Sequence, residues 1–211
     1  MGWAGEVRDA PGDYLMMVDA SVHSTKLNLV LEESAELTVE LDWTGGARHI
    51  LDYLYHNGLP QWARGRDPGA VERLMGQGFY GGYLRVLSPP SAQLVDLQLN
   101  SESAGAEEII QEEGKASFGR YVPLPAGTRA DLQLVYDVPG VGGISNGSGE
   151  YHLLLQKQPG SAAIPLKVTV SPPEGAHVVS LWLDGRRLEG NSPTVDTDLS
   201  QDRELVVRYG W

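Results

Sequence analysis

The feature that most constrains the fold of this chain is an alternation of apolar and polar residues. In the segment Ala35–Trp43, every second residue from Leu37 onward is apolar, and the residues between them are acidic or threonine. Because successive side chains of a strand point to opposite sides, this pattern predicts a strand with one buried and one solvated face. The pattern recurs in Leu132–Val138 and Leu166–Val170. Many short strands of this kind, separated by turn residues, indicate a sandwich rather than a parallel α/β sheet.

We therefore predict an all-β fold: an antiparallel, immunoglobulin-like β-sandwich with one short inserted helix and a small C-terminal β subdomain. The stretch Gln158–Ala163 combines proline, glycine and serine and is typical of a boundary. It divides the chain into a β-sandwich domain, residues 1–158, and a small C-terminal β domain or extension, residues 159–211. The second part holds few strands for an independent core.

The inserted helix is predicted within Gly58–Gly78, between two strands that would otherwise be near neighbours. Asp67 can cap its first turn, Pro68 suits the first helical position, and Gly76 ends it. Farther along, Asp184-Gly185 is the residue pair favoured in a two-residue type I′ hairpin. Long insertions on a sandwich are more often functional than structural, so we look for a site in Gly58–Gly78.

Composition excludes several classes of protein. The 211 residues include 16 basic and 28 acidic ones, a formal net charge of −12, and no cysteine. Disulfides and cysteine-based zinc sites are therefore excluded, and nucleic acid is a poor partner for so acidic a chain. No apolar run is long enough to span a membrane, so we expect no membrane insertion by this fragment. The first residues lack a signal-peptide pattern and lead abruptly into a strand, which suggests a piece of a longer protein.

Four stretches, in this order, carry a family resemblance. They are Trp3-Ala4-Gly5 with the strand that ends in Val18-Asp19, then Tyr83-Leu84-Arg85-Val86, then Tyr136-Asp137-Val138-Pro139, then Tyr151–Gly160 with the sequence YHLLLQKQPG. Together they resemble the C-terminal extracytoplasmic region of domain-of-unknown-function family 4012, a family of bacterial envelope proteins. The turn Ser21–Thr25 departs from this pattern, which has Asn and Gly there.

The resemblance implies an extracytoplasmic, cell-surface or envelope-associated module of a membrane-anchored bacterial protein, often encoded near surface-polysaccharide genes. It supplies no catalytic residues. We accordingly expect an uncharacterised, non-catalytic module for binding or spacing at the cell envelope. Its expected partners are cell-surface polysaccharide or the missing upstream part of the same protein. A carbohydrate-active or cell-wall-processing enzyme domain and a purely structural stalk are the alternatives.

Catalytic and metal-binding motifs are absent from the sequence. The five histidines are scattered without ligand spacing, and no nucleophile elbow is present. We therefore predict no metal site, no cofactor and no catalytic residues. Paired carboxylates for glycoside hydrolysis stay open as an alternative, because their pairing is spatial rather than sequential.

The insertion places basic and aromatic residues together on an otherwise acidic chain. Aromatic rings beside arginine donors suit sugar or peptide recognition. The alternative is that the tryptophan plugs one end of the sandwich while the arginines balance local acids. The predicted ligand-binding residues are Trp62, Arg64, Arg66, Arg73 and Tyr80.

Overall fold

A computed structural model describes residues 6–23, 25–145, 147–190 and 192–211. Residues 1–5, where the family resemblance begins, and Ser24, in the turn that departs from the family pattern, lie outside the described residues. The described strands, in chain order, are β1 (Asp13–Ser21), β2 (Leu31–Leu41), β3 (Ala47–Asn57), β4 (Tyr80–Ser88), β5 (Gln93–Leu99), β6 (Glu102–Ser103), β7 (Glu108–Glu112), β8 (Lys115–Leu124), β9 (Arg129–Val138), β10 (Gly142–Ser145), β11 (Ser148–Gln156), β12 (Pro165–Ser171), β13 (His177–Leu183), β14 (Arg186–Arg187), β15 (Thr194–Asp198) and β16 (Arg203–Gly210).

These strands form two sheets packed as a sandwich, which confirms the predicted all-β fold. The nine-stranded larger sheet has the order β14-β13-β16-β11-β1-β4-β8-β7, with β10 beside β11. The seven-stranded smaller sheet has the order β15-β12-β2-β3-β9-β5-β6. Neighbouring strands within the described residues are antiparallel except β1–β11 and β2–β12, which are parallel. Parallel neighbours need long crossover connections, and here the connection is most of the chain.

Helices are few and short. A 3₁₀ turn covers Leu27–Leu29, and the insertion holds α1 (Leu59–Ala63) and α2 (Pro68–Met75). The predicted helix is α2, and its Asp67 cap accepts a hydrogen bond from the Ala70 N–H at 2.8 Å. The short helix α1 was not predicted from the sequence. None of the helices in the described part of the chain is long and apolar enough to cross a membrane.

Alternation along the strands places the core between the sheets. On β2, Leu37 and Val39 are fully buried while Glu36 and Glu40 are exposed, as the pattern predicts. The hairpin at Asp184-Gly185 also has the predicted geometry, with φ of 52° and 75° at its two residues.

Strands after residue 159 join both sheets. β12 pairs with β2 in the smaller sheet, and β16 pairs with β11 in the larger one. Their apolar residues, among them Val168 and Val207, belong to the same core cluster as Leu15 and Leu37. The division of the chain into residues 1–158 and 159–211 stays a prediction.

A polar cluster lies fully buried between the sheets. Asp13 on β1 and His49 on β3 are both 0% exposed, and His49 Nε2 lies 2.7 Å from Asp13 Oδ2. The Tyr151 hydroxyl donates to the same carboxylate oxygen at 2.6 Å. The His49 ring stacks on Tyr136 at 4.6 Å between centroids. Asp13 and His49 therefore link the two sheets at a site from which water is excluded, so water cannot substitute for either side chain.

We expect His49→Ala to lower the free energy of unfolding by roughly 3 kcal/mol, because it leaves a buried carboxylate without this partner. Urea denaturation monitored by tryptophan fluorescence measures the change. The matched control is His56→Ala, since His56 is partly exposed and contacts the exposed carboxylate of Glu32; we expect a change within about 1 kcal/mol there. Equal losses of unfolding free energy in the two variants would contradict a special contribution of the buried His49–Asp13 pair.

Candidate functional site

The insertion is fixed at both ends by one buried amide. The Asn57 side chain donates to the carbonyl of Gly78 at 3.0 Å and to that of Leu124 at 3.1 Å. Its oxygen accepts from the Leu59 N–H at 3.2 Å. At Gly78, with φ of 78°, a Cβ would lie 2.7 Å from Cδ2 of Leu59, so only glycine lets the chain return this closely. The insertion is thus a docked element at one end of the sandwich.

The predicted residues Trp62 and Arg66 are brought together. Trp62 is partly buried against the core, and the Arg66 guanidinium lies over its ring at 4.3 Å from the centroid. Arg66 also donates to the Trp62 carbonyl. A cation over an aromatic face is favourable, so the two side chains form one surface. Trp62 therefore packs against the core and supports an exposed cation at the same time.

Arg64 and Arg73 are exposed on the same insertion. Among the described residues, Arg64, Arg66 and Arg73 form no ion pair with a carboxylate. The same holds for Arg129, Arg186 and Arg187, whereas the other arginines, such as Arg48 and Arg85, are paired. We call Arg64, Arg66 and Arg73 the arginine patch. Asp67 and Glu72 are exposed on the same insertion, so its arginines exceed its carboxylates by one, on a chain with a net charge of −12. Guanidinium groups without a carboxylate partner can bind anions.

Tyr80 lies apart from the arginine patch. Its side chain is 1% exposed, and its hydroxyl donates to Oδ2 of Asp19 inside the sandwich. The expectation that its ring joins an exposed aromatic surface is therefore not met. The reason is the alternation of β4, which turns Tyr80 and Leu84 to the core.

Two carboxylates lie beneath the insertion, each held by tyrosine hydroxyls, and they were not predicted from the sequence. Tyr55 donates to Asp19 Oδ1 at 3.1 Å, in addition to Tyr80 on Oδ2, and Tyr53 donates to Glu33 Oε1 at 2.8 Å. Asp19 comes from the larger sheet and Glu33 from the smaller one. We call these five residues the acid–tyrosine cluster.

Burial dominates the electrostatics of this cluster. It raises the pKa of Glu33 to about 7, with the Asp19 charge adding to the effect and the Tyr53 hydrogen bond opposing it. It also raises the pKa of Asp19, although the hydrogen bonds from Tyr80 and Tyr55 oppose the rise. The pKa of the Tyr53 hydroxyl is raised well above its ordinary value by burial and by the Glu33 charge. Glu33 also borders a surface groove of about 300 Å³, which gives the cluster a route to solvent.

The sequence contains a signal for this cluster. Asp19 continues the inward positions of Leu15 and Met17, and Glu33 continues those of Ala35 and Leu37. Acidic residues at positions that the alternation assigns to the core are rare unless they have partners. The same reasoning identifies Asp13 as a buried acid, because it lies two residues before Leu15 on the inward face of β1.

A second aromatic feature closes the opposite end of the sandwich. The Trp43 and Trp211 rings stack at 4.5 Å between centroids with an interplanar angle of 7°. They are 37% and 67% exposed, and the Trp43 indole N–H donates to the Glu174 carbonyl at 3.0 Å. Both residues continue inward positions, Trp43 after Leu41 and Trp211 after Tyr209. The alternative that Trp62 plugs its own end of the sandwich stays a prediction, since Trp62 packs against the core.

No protein-family model matches the sequence, and no curated protein matches it. Solved structures do share its backbone shape. One is a protein of Legionella pneumophila provisionally described as a nutrient binding protein, with a TM-score of 0.56, 8% identity, and coverage of 93% of this chain and 71% of that one. A second is an M1 zinc metallopeptidase of Deinococcus radiodurans, as an E323A mutant bound to a Tyr-Ser-Ala substrate, with a TM-score of 0.40, 13% identity, and coverage of 85% of this chain and 42% of that one. A third is leukotriene A4 hydrolase of Saccharomyces cerevisiae, with a TM-score of 0.42, 6% identity, and coverage of 88% of this chain and 31% of that one.

This chain spans less than half the length of either enzyme. Of the three, the Legionella protein has the highest TM-score, and at 8% identity the likeness concerns the fold alone.

We expect Asn57→Ala to free the insertion, because two carbonyls lose their donor and the Leu59 N–H loses its acceptor. The free energy of unfolding should fall by about 2–3 kcal/mol, and trypsin should cleave after Arg64 or Arg66 several-fold faster. Gln61→Ala, at an exposed position of the same insertion, is the matched control and should leave both quantities unchanged. Cleavage of Asn57→Ala at the wild-type rate would show that the amide does not hold the insertion.

Proposed function

We propose that this chain is a non-catalytic binding module in the extracytoplasmic part of a membrane-anchored bacterial protein, and that its insertion binds an anionic polysaccharide of the cell envelope. The observation that carries the proposal is the arginine patch. Arg64, Arg66 and Arg73 are exposed and have no carboxylate partner among the described residues, on a chain whose other charges are mostly negative.

The chemistry of the patch favours acidic sugars. A guanidinium group presents parallel N–H donors that match a carboxylate or a phosphate oxygen pair. Uronic acids and phosphate-bearing sugars carry these groups at intervals along a chain, so several arginines can bind at once. The Trp62 ring beneath Arg66 holds one of these guanidinium groups in place and reduces the entropy lost on binding.

Two further points support the proposal. The resemblance to the envelope family implies an extracytoplasmic location near surface polysaccharide. The Legionella protein with a similar backbone is provisionally described as a nutrient binding protein, which is consistent with a ligand-binding use of this sandwich.

One observation favours a second candidate, a carbohydrate-active enzyme. Glycoside hydrolysis uses two carboxylates, one of them a general acid with a raised pKa, and Glu33 beside Asp19 has such a pKa. Incubation with polysaccharide and assay of reducing ends tests this reading. Release by the wild type that is lost in Glu33→Gln supports an enzyme, and no release above heat-denatured protein rejects it.

The binding proposal is tested by retention on immobilised polygalacturonate and teichoic acid, with neutral dextran as the reference. We expect micromolar retention on at least one anionic polymer, none on dextran, and weakening as salt is raised. Arg64→Ala/Arg73→Ala should lower the affinity at least about tenfold, the effect of losing roughly 1.4 kcal/mol.

The control is Arg186→Ala/Arg187→Ala, which removes the same charge from two exposed arginines of β14. It should retain wild-type affinity. Retention on no anionic polymer, or an equal loss in both double variants, would refute a specific site on the insertion and favour a structural stalk.

A further inference from the structure

The acid–tyrosine cluster connects the two sheets directly beneath the insertion. Asp19 on β1 accepts hydrogen bonds from Tyr80 in its own sheet and from Tyr55 in the facing sheet. Asp19 and Tyr80 pack closely against the backbone of Gly82. A Cβ at Gly82 would lie 3.0 Å from Asp19 Oδ1 and 2.8 Å from Cε1 of Tyr80. The hydroxyls can keep these contacts only while the two sheets hold their present spacing.

The cluster is also continuous with the anchor of the insertion. Tyr55 precedes Asn57 by two residues on β3, and Asn57 donates to the Gly78 carbonyl. Tyr80, the first residue of β4, follows Gly78 by two. A change in the spacing of the sheets at Tyr55 and Tyr80 therefore acts on both ends of the insertion.

The charged side chain that acts on Glu33 inside the cluster is another carboxylate, Asp19, while the cation Arg129 lies in the adjoining groove. Facing Glu33 are Asp19 from β1, the hydroxyls of Tyr53 and Tyr55 from β3, and that of Tyr80 from β4. Beyond them, Glu32, His56 and Arg129 line the adjoining groove, and Glu32 contacts His56. Among the described residues, neither Asp19 nor Glu33 forms an ion pair. Two carboxylates so placed cannot both ionise without repulsion and loss of hydration.

We propose that Asp19 and Glu33 form a proton-operated latch, which is closed while the pair holds a proton and loosens the insertion end of the sandwich when that proton leaves. The anion-binding part of this inference rests on the proposed function: a loosened insertion no longer presents its arginines in one arrangement. The loosening itself does not depend on any ligand.

The direction of the pH effect follows from linkage. In the folded chain Glu33 binds its proton up to about pH 7, whereas in the unfolded chain it loses the proton near its ordinary pKa of 4.5. Between these two values the unfolded state binds fewer protons, so stability falls as pH rises and the loss is complete above about pH 7. Asp19, whose pKa is also raised, acts in the same direction.

The first test measures the folding equilibrium constant between pH 5 and pH 8.5 by urea denaturation. For the wild type we expect the folding equilibrium constant to fall at least about tenfold because of Glu33. This is less than the difference between the folded and unfolded pKa of Glu33 would give, because the side chain is partly exposed. Glu33→Gln should remove that fall and be the more stable protein at pH 8. Glu40→Gln changes an exposed residue of the same strand and should keep the wild-type slope. The same slope in Glu33→Gln as in the wild type would overturn the latch.

The second test measures amide hydrogen exchange at pH 6 and pH 8, with rates corrected for intrinsic exchange. We expect several-fold loss of protection in Tyr53–Asn57 and Tyr80–Leu84 at pH 8, with β12 unchanged, and no such loss in Glu33→Gln. Equal protection at the two pH values would overturn the proposal even if stability changed.

Retention on the anionic polymer completes the test. Weaker binding at pH 8 than at pH 6 in the wild type, but not in Glu33→Gln, supports the link to the arginine patch. Binding that does not depend on pH refutes that link. Absence of binding at both pH values refutes the proposed function, and the exchange experiment still decides whether the latch exists.

Discussion

The sandwich depends on carboxylates that face inward from β1, the strand at the centre of the larger sheet. Each lies among apolar side chains and must be satisfied by donors, because an unpartnered buried carboxylate is very costly. Each finds one partner in its own sheet and another in the facing sheet, so the two sheets are held in register at both ends of β1. The partners are Tyr151 and His49 for Asp13, and Tyr80 and Tyr55 for Asp19.

The insertion takes its position from this arrangement. Its first and last residues leave β3 and enter β4 next to Tyr55 and Tyr80, and the Asn57 amide joins them. The exposed arginine patch therefore lies on an insertion whose two ends are held against β3 and β4, rather than on a loop without such contacts. Sites supported in this way lose less conformational entropy when they bind a ligand.

The sequence was sufficient to predict the all-β sandwich and parts of the candidate site. Alternation predicted the strands, Asp67 and Pro68 predicted α2, and the grouping of Trp62 with Arg66 is found in space. One feature was not predictable from any local pattern, and one residue was misplaced because a local pattern was overlooked. The parallel pairing of β1 with β11 joins residues that are far apart in sequence, and no local signal specifies such a contact. Tyr80 was misplaced because aromatic residues were grouped by proximity in sequence rather than by their face on the strand.

The two buried polar groups differ in a way that stability alone does not explain. Asp13 is paired with an imidazole and a hydroxyl, a combination that lowers the cost of burying its charge. Asp19 is placed opposite Glu33, a second acid, and hydroxyls are the only donors to either side chain among the described residues. An apolar residue at position 33 would continue the pattern of β2 and avoid the repulsion. Because local rules are broken most often where a site requires it, this placement of two acids with no base between them agrees with the proposed latch.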